Sequence, residues 1–129
     1  MEAHYHDPTD RKYAANLRRG AGAEFAAFRE FNAAVGRETG AVPRKYRELM
    51  SVAVALTTQC VYCIETHVDA AREAGATADE LAETVFVTAA MRAGGAVAHG
   101  RMAMKLFERG GGDTAADTTK ADLTTTTPG

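Results

Sequence analysis

The sequence predicts an all-α domain of about six helices, and three observations lead to it. Apolar side chains recur three and four residues apart in each long segment between glycines. Helix start and stop signals punctuate the chain at Gly20, Pro43, Gly75 and the Thr77-Ala-Asp-Glu80 box. No segment alternates apolar and polar residues with the period of two that a half-buried strand requires.

Taken in order, residues 1–8, with His4 and His6, carry no periodic pattern and read as a frayed start. From Thr9, TDRKYAANLRRG sets Tyr13 and Leu17 four apart and stops at Gly20, a short amphipathic helix. Phe25, Phe28 and Phe31 then recur at three-residue spacing, the stripe of a second helix expected to bury an aromatic face. Pro43 suits the first turn of a third helix, PRKYRELMSVAVALTT, whose Leu49, Val52, Ala53 and Leu56 share a face. Its apolar stretch from Val52 to Leu56 predicts a central position. Thr57, Thr58 and Gln59 break it, and a fourth helix starts near Cys60 and runs to Ala74, ended by Gly75. The Thr77/Glu80 capping box opens a fifth helix that turns Leu81, Val85 and Phe86 inward. Gly94 and Gly95 predict an interruption before a sixth, AVAHGRMAMKLFERG, where Ala96, Gly100 and Ala103 permit close helix approach. Beyond Gly110 the chain turns to Gly, Asp, Ala and seven Thr, so 111–129 reads as a disordered tail and 9–110 as the one domain.

Composition narrows the function. With 129 residues, 46% hydrophobic and 25% charged, the chain is an ordinary globular protein that can bury a core without metal or disulfide support. The net charge of -2 comes from the tail, where Asp113, Asp117 and Asp122 face Lys120 alone, and no basic field suited to nucleic acid exists. No apolar run approaches the length of a membrane span, and MEAHYHDPTD lacks the character of a signal peptide, so a cytoplasmic protein without membrane contact is expected. Two cysteines three residues apart close almost no loop, which suits chemistry better than stapling.

That chemistry is concentrated in Cys60-Val-Tyr-Cys63-Ile-Glu-Thr-His67. On a helix, about 100° per residue places Cys60, Cys63 and His67 within an arc of about 60°. Two cysteines at a helix start can form a local disulfide and reopen it, and the partial positive charge there, with a nearby imidazole, favours thiolate. Glu48 lies on the preceding helix; if the two helices pack, it reaches His67 or a thiol and serves as proton acceptor against an apolar wall. Read alone, Glu48 is more often a solvated residue in the first turns of a helix, whereas the spacing of the cysteines favours redox chemistry over a buried structural pair.

The arrangement Glu48, eleven residues, Cys60-x-x-Cys63, three residues, His67 resembles the signature of the alkylhydroperoxidase-like (AhpD-like) branch of the carboxymuconolactone decarboxylase family. The text PRKYRELMSVAVALTTQCVYCIETHVDAAREAGATADEL is similar to that family's central helix pair, and MRAGGAV to its junction before the last helix. The resemblance implies a compact AhpD-like helical bundle with Cys60 and Cys63 as redox pair, Glu48 as base and His67 as relay. It implies a thiol-dependent peroxidase or disulfide reductase, with a peroxide or disulfide as substrate and a thiol or lipoyl-type electron donor protein as partner. No bound cofactor and no metal is implied, and a single-repeat chain of this kind is expected to form a homo-oligomer, a hexamer favoured. Cys60, at the helix start, is the preferred first nucleophile with Cys63 resolving; the reverse order stays open, because Cys63 lies one turn from His67. Tyr62 departs from AhpD itself, which has histidine there, a departure that many family members share, and a phenol is a poor proton relay at neutral pH. Two other classes stand beside this one: a metal site built from Cys60, Cys63, His67 and His99, and a non-catalytic oligomeric module.

Overall fold

Five α-helices and one 3₁₀ turn make up the regular structure, with no strand among the described residues. The computed structural model describes residues 6–122, and side chains as far as Gly111. Asp7 opens the fold. Its carboxylate accepts from the Thr9 N–H at 2.8 Å, and the Asp10 carboxylate accepts from the Asp7 N–H at 3.1 Å. This reciprocal cap starts the 3₁₀ turn Pro8–Tyr13, where the missing N–H of Pro8 costs nothing. The frayed start expected for residues 1–8 is therefore corrected at His6, Asp7 and Pro8, while residues 1–5 lie outside the described residues.

The turn leads into α1 (Ala14–Gly20) and α2 (Gly22–Val35). Next, α3 (Arg44–Thr58) begins after Pro43, which is the N-cap rather than a first-turn residue. The α3 helix ends on Gln59 at φ 56°, the one non-glycine residue with positive φ among those described. That conformation costs a side-chain-bearing residue about 1–2 kcal/mol, and it reverses the chain immediately before Cys60. Cys60 caps α4 (Val61–Glu73), which Gly75 closes at φ 92°, a value glycine adopts at no steric cost. Finally, α5 (Ala78–Asp122) starts on Thr77, whose hydroxyl accepts from the Glu80 N–H at 3.1 Å. Its Glu80 carboxylate pairs with Lys45 at 3.1 Å.

The break expected within α5 is absent. Gly94 and Gly95 do not interrupt it, so the fifth and sixth predicted helices are one. Each glycine costs about 1 kcal/mol relative to alanine, whereas a break would create two new helix ends with their unsatisfied backbone groups. The helical backbone also continues past the composition change at Gly110 as far as Asp122, and residues 123–129 lie outside the described residues. By length and composition alone, Ala78–Gly111 meets what a membrane crossing requires, with mean hydropathy 1.2 over its most apolar window. Alanine raises that mean without a run of large apolar side chains, which is why no such segment stands out in the sequence.

Contacts divide the chain into two units, Met1–Ala89 and Ala90–Gly129. In the first, α3 and α4 pack against each other, and α1 packs on α2 and on the 3₁₀ turn. The described core is small: Leu49, Val52 and Ala55 on α3 with Ala71 on α4, Val52 being only 1% exposed. Burying a side chain of that size contributes about 1.5–3 kcal/mol. The aromatic stripe of α2 is not buried as expected, since Phe28 is 63% and Phe31 67% exposed. Val85 and Phe86 likewise point outward. Leu81 turns inward as expected, joined by Thr84 and Thr88 in place of Val85 and Phe86, and each threonine hydroxyl is satisfied by the carbonyl four residues back, at 2.8 Å. In the second unit an added Cβ at Gly94, Gly95 or Gly100 would meet no atom of that unit's described residues within 4 Å, beyond the helix's own backbone.

Candidate active site

The left-handed Gln59 aims Cys60 across the first turn of α4. Cys60 sits in extended backbone at φ -87° and ψ 95°, and its Sγ accepts from the Cys63 N–H at 3.2 Å. Cys60 and Cys63 are joined in a disulfide with a Cα–Cα distance of 5.2 Å. The single helical arc expected for three residues is thus corrected: only Cys63 and His67, four apart on α4, share a helix face, and Cys60 joins them from the cap. A sulfur at that cap lies at the partially positive end of the helix, which stabilises thiolate on reduction.

Packing of α3 on α4 brings Glu48 to His67. Glu48 is 8% exposed, and its Oε2 lies 2.7 Å from His67 Nδ1. An ionised carboxylate only accepts, so Nδ1 carries the proton in that bond and Nε2 is left as the acceptor of the neutral ring. The other oxygen, Oε1, lies 3.8 Å from Arg44 Nε. Arg44 Nη1 is in turn bonded to Glu38 Oε1 from the connection between α2 and α3.

Beside this pair opens a cavity of about 590 Å³. Val35, Val42, Met50 and Val54 form its apolar wall, and Glu48, Cys63 and His67 lie on it as well. Arg47 ties the wall together: its guanidinium donates to the carbonyls of Val42 at 3.0 Å, Val35 at 2.6 Å and, across the loop, Arg37. Sequence reasoning overlooked Arg44 and Arg47. The i, i+4 spacing of Arg44 and Glu48 was a legible sign of a charge pair. Nothing local marked Arg47, whose partners exist only once the loop has folded back.

Tyr62 faces away from this cavity. Its hydroxyl donates to Asp10 Oδ2 at 2.6 Å, and its ring lies 5.5 Å from that of His6. The Asp10 hydrogen bond, followed by burial, raises its pKa above the ordinary tyrosine value, so the phenol stays protonated through neutral pH. Arg11 adds a bond to Thr66 at 3.1 Å, so the N-terminal turn is pinned on the first turns of α4. The position where the resemblance leads one to expect histidine therefore serves as a tether. His99 bonds the Gly95 carbonyl at 3.0 Å within α5, and no group of three or more His, Cys, Asp or Glu residues is disposed to hold a metal ion among the described residues.

The chain is similar to a protein of Paracoccus denitrificans called "Uncharacterized protein 4 in cox locus", with 45% identity over 69 residues. That match covers 54% of this chain and 62% of the relative, so the chain spans less than two thirds of that protein's length. The sequence profile of the carboxymuconolactone decarboxylase family matches residues 23–106. Because that span holds most of the chain, including Glu48, Cys60, Cys63 and His67, the chain belongs to the carboxymuconolactone decarboxylase family.

Proposed function

We propose that this protein is a thiol-dependent oxidoreductase of the alkylhydroperoxidase-like type, cycling Cys60 and Cys63 between dithiol and disulfide. The observation that carries the reading is one continuous set of groups: the Glu48–His67 pair at 2.7 Å, with Cys63 beside it on the same cavity and disulfide-linked to Cys60. In the reduced protein, His67 Nε2 takes the proton of a thiol while Glu48 holds the ring and balances the imidazolium. The thiolate attacks a peroxide oxygen, the O–O bond breaks, and the substrate leaves as an alcohol after taking up a proton. The cysteine is then a sulfenic acid, which the second cysteine displaces to form the disulfide and water. A dithiol donor returns two electrons and two protons by exchange through a mixed disulfide. The cavity position of Cys63 supports that residue as the one meeting substrate, with Cys60 resolving, which reverses the order preferred from sequence.

Reaction of fully reduced protein with one equivalent of an organic hydroperoxide tests this. Both thiols of each chain should disappear, with one alcohol formed per disulfide. Persistence of the thiols, or their loss at the same rate without peroxide, would sink the proposal.

The exposed apolar side chains support a second element of the reading, assembly into a homo-oligomer. Phe28 and Phe31 on α2, and Met91, Val97, Met102 and Phe107 on α5, are each more than half exposed. Surfaces of this kind mark association sites. Light scattering at micromolar concentration should therefore return a multiple of the 13.7 kDa chain mass. A monomer at that concentration refutes it.

A further inference from the structure

Arg44 is a charged residue next to Glu48 to which the proposed chemistry gives no role. It stands one turn before Glu48 on α3, with about a third of its side chain exposed, and its Nη1 is held by Glu38. Its Nε is buried and lacks any hydrogen-bond partner. That donor lies 3.8 Å from Glu48 Oε1, close enough for charge attraction and too long for a hydrogen bond. The two oxygens of Glu48 are thereby divided, Oε1 toward Arg44 and Oε2 toward His67. Burying a carboxylate is costly, and a nearby guanidinium offsets part of that cost while orienting the carboxylate plane.

We infer that Arg44 is a positioning residue for the Glu48–His67 pair, anchored by Glu38 so that its Nε holds Glu48 Oε1 and turns Oε2 onto the imidazole. The role in turnover rests on the function proposed above; the positioning itself does not. Arg44 touches neither cysteine nor imidazole in the contacts described, so its influence passes through Glu48. Glu38 matters because an unanchored guanidinium on a partly exposed side chain would spend much of its time in solvent.

Nitrogen NMR of the His67 imidazole in the oxidised protein, the redox state of this structure, reads the positioning without any turnover. Glu48→Gln defines the His67 signature when the carboxylate is absent. Arg44→Ala should move the His67 Nδ1 signal most of the way toward that signature with helical circular dichroism unchanged, and Arg44→Lys should restore much of the parent signal. In a Glu48→Gln background, Arg44→Ala should add no further shift, because the two act on one contact. A parent-like signal in Arg44→Ala, or an equal shift in the Glu48→Gln background, overturns the inference. In turnover, Arg44→Ala should lower kcat about ten- to a hundredfold with KM unchanged, the scale of a misplaced catalytic group. A parent protein with no turnover defeats the proposed function, and the imidazole signal then decides the positioning by itself.

Discussion

Replacing Cys60 or Cys63 by serine abolishes multiple turnover at every pH. The expectation follows from the covalent geometry: with the sulfurs bonded across one helical turn and a Cα–Cα distance of 5.2 Å, each cysteine has the other as its resolving partner in reach. A single-cysteine variant can complete the first attack, but it stops as a sulfenic acid or mixed disulfide because the intramolecular displacement is gone. Raising the pH increases thiolate and speeds the first step without supplying the missing sulfur. Mass spectrometry of each variant after one equivalent of hydroperoxide identifies which thiol attacks. The Cys60→Ser protein, retaining Cys63 beside His67 and Glu48, should trap the adduct faster. Sustained peroxide consumption by either variant, with dithiol donor in excess, contradicts the disulfide cycle.

Glu48→Gln and His67→Ala produce the second large effect, a slowing of about 10²- to 10⁴-fold near neutral pH, the usual worth of positioned proton transfer. The deficit shrinks as pH rises, because hydroxide generates the thiolate once the internal acceptor is lost. His67→Ala removes the acceptor itself. Glu48→Gln leaves an amide that can still accept from Nδ1–H but cannot balance an imidazolium. The measurement is the pH dependence of kcat/KM for parent and variants, with circular dichroism checking the fold. Parent-like activity of Glu48→Gln at neutral pH would reduce the family likeness to one of fold alone.

Local signals carried well into three dimensions. Gly75 ends α4, the Thr77 hydroxyl caps α5, and the break after Thr58 falls where three polar residues announce it, because caps and turns are settled within a few residues of chain. The α3 face carrying Leu49 and Val52 is also the buried one, since periodicity of a strongly apolar helix reports which side meets its neighbour. Burial of the aromatic stripe on α2 did not follow from the same rule. Periodicity shows that Phe28 and Phe31 share a face, while what covers that face is a property of packing beyond the helix. Gly94 and Gly95 misled in another way: a local cost was visible, and the larger cost of ending a helix there was not.

By itself, then, the sequence determined the helical class, the start of α4 at Cys60 and the candidate set of Glu48, Cys60, Cys63 and His67, all through residue type and short spacing. Only the tertiary structure decided that Glu48 meets His67 across 19 positions of chain, that Tyr62 turns to Asp10 across 52, and that Arg47 gathers three carbonyls into the cavity wall. The division has a physical cause. Backbone conformation and capping depend on neighbours a few bonds away, whereas a hydrogen bond between two helices depends on how their side chains interlock, which no spacing along either helix specifies.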